Sequence, residues 1–107
     1  MSDKHFGAGF DQLTDTSEIK TLCLCNVQSE QQLSIDNIPG KQASVKILCN
    51  IASTNNNLIS TPQAELGLDL YGDYTQEELQ NPNSHPNIRL LLDIIEHQQT
   101  WKVILEM

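Results

Sequence analysis

The chain has 107 residues, enough for one domain with a substantial hydrophobic core. Six Lys and Arg stand against 14 Asp and Glu, and the net charge of −8 argues against a nucleic-acid-binding or membrane-binding protein. The basic residues are scattered along the chain, so the sequence predicts no basic patch that would offset this charge. A basic protein partner is electrostatically compatible with the chain.

The sequence gives two indications of the compartment. It shows no apolar run of signal-peptide length near residue 1 and no stretch of about 20 apolar residues that could span a membrane. The cysteines Cys23, Cys25 and Cys49 are odd in number, which fits a reducing environment that keeps them as thiols. We therefore expect a cytoplasmic protein.

The first half of the chain predicts a polar lead, two strands and a helix. Residues 1–16 are mostly polar and are open to two interpretations, a flexible lead or a short helix that caps the core. Residues 18–27 and 32–38 alternate in part and are rich in β-forming side chains, which predicts two antiparallel strands. Residues 42–53 carry apolar side chains at helical spacing, and the Asn run at 55–57 is typical of a helix end.

The second half predicts further helices and a last strand. Ser60 and Gln63 form a capping-box pattern at the start of a helix, and Thr75 with Glu78 repeats that pattern for a short helical turn. Residues 86–98 show the clearest helical periodicity. Residues 100–107 alternate around Trp101, which predicts a strand whose tryptophan lies in the core.

This order of elements predicts the fold class. Two strands, then helices, then a strand indicate an α+β two-layer sandwich. We expect a small, mostly antiparallel sheet of about three strands, covered on one face by three or four helices, in a single domain over residues 1–107. The last strand is expected to join the sheet beside one of the first two.

Three segments carry a resemblance to a known family. They are residues 37–44 (NIPGKQAS), 64–75 (AELGLDLYGDYT) and 82–92 (PNSHPNIRLLL). Together they resemble a bacterial family defined only as a domain of unknown function, number 2322. The sequence departs from that pattern at Ala43, where Gly is expected, and at Tyr74, where His is expected. The resemblance implies where the domain extends but implies no activity.

Acidic side chains support the first functional hypothesis. Asp69, Asp73 and Glu77 recur every four residues and would form one acidic stripe on a continuous helix, with Glu78 beside it. Such a stripe can contact a basic protein, but it is also typical of the solvated surface of an acidic protein. We therefore expect a non-enzymatic interaction module of the adaptor or inhibitor type, with a basic protein as its partner.

The alternative hypothesis is a small-ligand or anion binder, or an enzyme subunit. Gly next to a helix start offers free backbone N–H groups, and Lys41 and Ser44 lie beside such a glycine. His85 is suited to proton transfer, although Pro86 after it favours a helix-start role. A cleft that brings Lys41, Tyr74 and His85 together would favour this hypothesis.

Other chemistries find less support in the sequence. Cys23 and Cys25 lack the spacing of a redox or zinc motif, and buried thiols that pack as small apolar groups are more common than ligands. The sequence shows no catalytic nucleophile motif and no metal-ligand spacing, so it predicts no catalytic residue, metal or cofactor. A homodimer is compatible with either hypothesis, because a three-stranded sheet has two open edges.

Overall fold

The computed structural model describes residues 4–107, and residues 1–3 of the predicted lead lie outside this part. A 3₁₀ turn at Phe10–Gln12 precedes the regular elements. The strands are β1 (Thr21–Asn26), β2 (Gln32–Asp36), β3 (Leu58–Ile59) and β4 (Trp101–Glu106), and the helices are α1 (Gln42–Ser53), α2 (Thr61–Tyr71), α3 (Asp73–Gln80) and α4 (Pro86–His97).

The four strands form one antiparallel sheet in the order β2-β1-β4-β3. The α+β class is confirmed, and so is the pairing of the last strand with one of the first two. Over residues 4–107, the count of about three strands is corrected to four. The sequence carries no signal for β3, because a strand of two residues shows no alternation and is defined only by its pairing with β4.

The core lies between one face of the sheet and the helices. Alternate residues of the central strands point into it, as shown by the burial of Leu22, Leu24 and Val103. Trp101 is 2% exposed, which confirms its predicted place in the core. From the helical side, Ile51 and Leu91 are fully buried. Apolar burial of this kind contributes about 25 cal/mol per Å².

Local sequence signals set several helix ends. Helix α1 has the predicted bounds, and Asn56 and Asn57 after it adopt positive φ angles of 55° and 65°. Helix α2 starts with the predicted capping box, in which the Ser60 N–H donates to Gln63 Oε1 at 3.1 Å. Asn55 Nδ2 donates to the same oxygen at 3.2 Å, so Gln63 also holds the preceding turn.

We expect a Gln63→Ala variant to lose about 1 kcal/mol of unfolding free energy, because two donors would lose their common acceptor. Urea denaturation measures the loss. Gln63→Glu is the matched control, since it keeps an acceptor oxygen and places a negative charge in the first turn of a helix. Equal losses in the two variants would contradict this account of the helix start.

The region between residues 69 and 80 differs from the prediction. Gly72, with φ 61° and ψ −124°, ends α2, and α3 starts immediately after it. Thr75 therefore lies within α3 and donates its hydroxyl to the Leu68 carbonyl at 2.8 Å, so it does not form the predicted capping box with Glu78. The acidic residues before and after Gly72 do not share one continuous helix.

The described part of the lead packs against the end of α2. The Gly7 N–H donates to the Leu70 carbonyl at 2.9 Å, and Asp73 Oδ2 accepts the His5 N–H at 3.0 Å. Phe6 and Phe10 stack with ring centroids 4.1 Å apart and contact the core. Over residues 4–107, every helix is too short or too polar to cross a membrane.

Candidate functional site

A cleft of about 380 Å³ opens where α1 and α4 begin. Residues before and within the first turn of α1 form one wall, and the corresponding residues of α4 form the other. The full lining is Ser34, Ile35, Gly40, Lys41, Ser44, Tyr71, Ser84, His85, Pro86, Asn87 and Ile88. Three of the residues expected for a ligand site, Lys41, Ser44 and His85, thus border one cavity.

Both helices start at the cleft without a side-chain cap. The residue preceding α1 is Lys41 and the residue preceding α4 is His85, and neither side chain accepts a hydrogen bond from the first turn. His85 therefore occupies the predicted helix-start position, with Pro86 as the first helical residue. First-turn N–H groups lack carbonyl partners within an ideal helix and carry the positive end of the helix dipole. At α4, however, Pro86 has no N–H, and the Ile88 N–H already donates to the His85 carbonyl at 3.0 Å. The start of α1 makes this cleft favourable for negative charge, whereas the start of α4 already lies beside the Glu78 carboxylate, which accepts the His85 N–H at 2.6 Å.

Ser44 has a fixed hydrogen-bond partner beneath the cleft. The Tyr71 hydroxyl donates to Ser44 Oγ at 2.7 Å. Tyr71 is 5% exposed, and this burial raises its pKa to about 12 although the hydrogen bond with Ser44 acts in the opposite direction. Tyr71 thus remains a neutral donor near pH 7, which leaves the Ser44 hydrogen available to an acceptor in the cleft.

A carboxylate holds the His85 ring. His85 Nε2 lies 2.5 Å from Glu77 Oε1, and Lys4 Nζ lies 2.6 Å from Glu77 Oε2. Hydrogen bonds from Lys4 and His85 hold the pKa of Glu77 below its ordinary value. Because Nε2 contacts Glu77, Nδ1 is the ring nitrogen left to hydrogen-bond to a ligand.

Glu78 fixes the loop that carries His85. Its carboxylate is fully buried and accepts the N–H of Asn83 at 2.7 Å and of His85 at 2.6 Å. Arg89 Nε and Nη2 reach the same carboxylate at 2.9 and 2.8 Å. Burial raises the pKa of Glu78, but these N–H donors and the Arg89 charge outweigh it, so the pKa lies below its ordinary value.

Tyr74 lies behind His85 and outside the cleft lining. Its ring meets the His85 ring edge-on at 5.7 Å and the Phe6 ring at 4.9 Å. The described lead therefore reaches the site through Phe6 and Lys4. Tyr74 is thus a neighbour of His85 and not part of the cleft.

Comparison with known proteins identifies the family. The model of a family described as an uncharacterized protein conserved in bacteria, DUF2322, matches residues 6–105. The chain belongs to this family. The match confirms the resemblance and extends it from the three segments to the flanking strands. No curated protein and no solved structure matches the chain.

The acidic residues lie in different environments within this DUF2322 chain. Asp69 and Asp73 are exposed, although Asp73 accepts the His5 N–H. Glu77 is partly buried between Lys4 and His85. Glu78 is fully buried, so it cannot contribute to an exposed acidic face. What remains of the expected stripe is two exposed carboxylates on either side of Gly72.

The thiols and the metal-ligand groups are dispersed. Cys23 and Cys25 lie on β1 and Cys49 lies on α1, and all three are free thiols that are half-buried. Within residues 4–107, one group of three side chains has the geometry to hold a metal ion. Asp93, Glu96 and His97 at the end of α4 place potential metal-ligand atoms within 4.8 Å of one another. Glu96 and His97 are exposed, which is common for such groups without an ion.

Several residues that form or support the cleft carry no functional signal in the local sequence. The local sequence assigns Tyr71 no functional role and assigns Glu77 only that of a surface charge. The contacts that give them their roles join residues far apart in sequence, since Tyr71 and Ser44 are 27 positions apart. Glu78 and Arg89 are 11 positions apart and lie on different helices. No local spacing signals such contacts.

Proposed function

We propose that this protein binds a small anionic ligand, one that carries a phosphate or carboxylate group, in the cleft between the starts of α1 and α4. The observation that carries the proposal is that α1 begins, without a side-chain cap, at a cavity that Lys41, Ser44 and the start of α4 also border. Each element alone is common. Their convergence supplies backbone donors, a hydroxyl donor and a cation to the same volume.

The dimensions and the lining support a small molecule. A volume of about 380 Å³ falls in the range of ligand pockets, which extends from about 300 to 1,000 Å³. Ile35, Pro86 and Ile88 add apolar surface next to the polar groups. The preferred ligand therefore has an anionic group toward Lys41 and Ser44 and a compact apolar part.

The charges near the cleft favour an anion despite the net charge of −8. The two nearest carboxylates of α3 are already paired, Glu77 with Lys4 and His85, and Glu78 with Arg89. Among residues 4–107, Lys41 makes no ion pair that would occupy its charge. The ammonium group of Lys41 is therefore available to a ligand.

The interaction-module hypothesis has less support. An acidic surface for a basic protein needs a dense array of exposed carboxylates, and burial removes Glu78 from the array that the sequence suggested. The helix break at Gly72 also separates Asp69 from Asp73. For these reasons we favour the cleft as the functional site.

Backbone amide NMR tests the proposal, with inorganic phosphate and phenyl phosphate as probes. We expect the amide signals of residues 40–44 and 84–88 to shift, with tighter binding of phenyl phosphate. Lys41→Met is expected to weaken binding about tenfold, since a charge-assisted hydrogen bond contributes about 1.5 to 3 kcal/mol. Ser44→Ala is expected to weaken it by a smaller factor.

Lys20→Met is the matched control, because Lys20 is exposed and does not line the cleft. It removes the same charge and is expected to bind as the wild type does. If Lys41→Met and Lys20→Met weaken binding equally, the anion is attracted by general charge and the proposed site is wrong. Shifts confined to other regions of the chain would also contradict it.

A further inference from the structure

The sheet has a second face that the helices do not cover. Residues that alternate with the core positions point to it, and Ile104 on this face is 50% exposed. A shallow groove of about 490 Å³ runs across it between Cys23, Cys25 and Ile104. This volume exceeds that of the cleft at α1 and α4. We call this surface the open sheet face.

The strand register arranges the open sheet face in three rows across β2, β1 and β4. The middle row is Ser34, Cys23 and Ile104. The row toward one end is Gln32, Cys25 and Lys102, and the row toward the other end is Asp36, Thr21 and Glu106. Positive charge thus lies at one end, negative charge at the other, and the uncharged row lies between them.

This arrangement is self-complementary under one symmetry operation. This operation is a rotation about a two-fold axis that lies midway between two facing sheets and runs perpendicular to the strands. The rotation places each strand opposite the same strand of the second copy and reverses the order of the rows. Lys102 then faces Glu106 of the second copy, and Glu106 faces Lys102. Near the axis, Cys23 faces Cys23 of the second copy and Ile104 faces Ile104 of the second copy. An axis parallel to the strands would instead place the acidic row against the acidic row.

We propose that two copies of this chain associate through their open sheet faces about this two-fold axis. Sheets that pack face to face lie about 10 Å apart, and isologous dimers are the commonest closed assemblies. The uncharged middle row supplies the contact that loses water, and the two Lys102–Glu106 pairs set the orientation. This inference does not depend on the proposed anion cleft, although Ser34 borders both surfaces.

Exchanging the two charges tests the dimer by sedimentation equilibrium at about 0.1 M ionic strength, where a screening length of about 10 Å weakens the repulsion between two copies of net charge −8. Wild-type protein is expected to dimerise, and Lys102→Glu alone or Glu106→Lys alone is expected to raise the dissociation constant by about tenfold or more, because each creates two like-charge contacts. The double variant Lys102→Glu/Glu106→Lys restores both opposite-charge contacts and is expected to recover the dimer. Recovery distinguishes this contact from a loss of folding.

Lys20→Glu is the control for the change in net charge, since Lys20 is exposed and lies outside the strands. Monomeric wild type at all concentrations would overturn the proposal. So would a dimer that Lys102→Glu weakens no more than Lys20→Glu, since such a dimer uses another surface. A double variant that stays monomeric would exclude the proposed orientation.

Thiol crosslinking provides a second measurement of the orientation. Cys23 lies in the middle row near the axis, whereas Cys25 lies opposite Thr21 of the second copy. A Cys25→Ser/Cys49→Ser variant is therefore expected to form a covalent dimer with a short bis-maleimide faster than a Cys23→Ser/Cys49→Ser variant. The reverse order would contradict the proposed axis.

Discussion

Replacing Glu78 with alanine is expected to lower the free energy of unfolding by about 3 kcal/mol, at the lower end of the loss when one partner of a buried ion pair is removed. The carboxylate is fully buried and accepts the N–H groups of Asn83 and His85 as well as the Arg89 guanidinium. Without it these donors lose their acceptor in the folded state. Arg89 is partly exposed and regains water, which keeps the loss from being larger. Urea denaturation measures the change.

Glu65→Ala is the matched control. Glu65 is an exposed glutamate on α2, and surface substitutions of this kind change stability by about 0.5 kcal/mol or less. A similar small loss in the two variants would show that the Glu78 contacts are not retained in solution.

The same residue gives the wild type a defined pH dependence. The pKa of Glu78 is lower in the folded state than its ordinary value, so its stabilising contribution is complete above the unfolded-state pKa of about 4.3. The contribution is lost as the pH falls through the folded-state pKa. Wild-type stability is therefore expected to fall more steeply than that of Glu78→Gln as the pH drops below about 4.3. Parallel curves for the two proteins would contradict the assignment.

A Gly72→Ala variant is expected to be destabilised by about 3 kcal/mol, at the upper end of the strain for a residue held in a rarely populated conformation. Gly72 has φ 61° and ψ −124°, a backbone conformation that residues other than glycine rarely adopt. A Cβ atom there would also lie 2.5 Å from the His5 carbonyl oxygen and 2.6 Å from the Gly7 nitrogen. Because these are backbone atoms, the lead must move away from α2 to make room.

Two measurements separate the causes of that loss. Gly40→Ala is the control, since Gly40 has φ 92° and its Cβ would meet nothing within 4 Å, so it carries backbone strain alone. We expect it to lose about 1 kcal/mol. Limited proteolysis is expected to cleave Gly72→Ala within residues 4–13 faster than Gly40→Ala. Equal stability losses and equal cleavage would show that the packing of the lead against Gly72 contributes nothing.

The sequence alone determined most of the secondary structure and the fold class. Helix α1 and the start of α4 fall where apolar periodicity and Pro86 place them, and the alternation around Trp101 identified β4. These signals are local, because a helix or a strand repeats its buried face within a few residues. The order of those elements was enough to indicate a sheet covered by helices on one face.

Part of the candidate site was also visible in the sequence. Lys41 and Ser44 were identified because they follow a glycine at a helix start, and His85 because its side chain is suited to proton transfer, although Pro86 favours a helix-start role. Each of these signals describes one helix end by itself. None of them indicates that the two helix ends border the same cavity.

Only the tertiary structure decided the roles of the acidic residues and the shape of the cleft. Glu77 and Glu78 are adjacent in sequence, yet one holds a histidine ring at the surface and the other is fully buried against Arg89. The same applies to β3, whose two residues form a strand because β4 lies beside them. The physical reason is that the burial of a side chain and the pairing of a strand depend on residues that are distant in sequence. The spacing of nearby residues does not indicate which distant residues the folded core brings into contact.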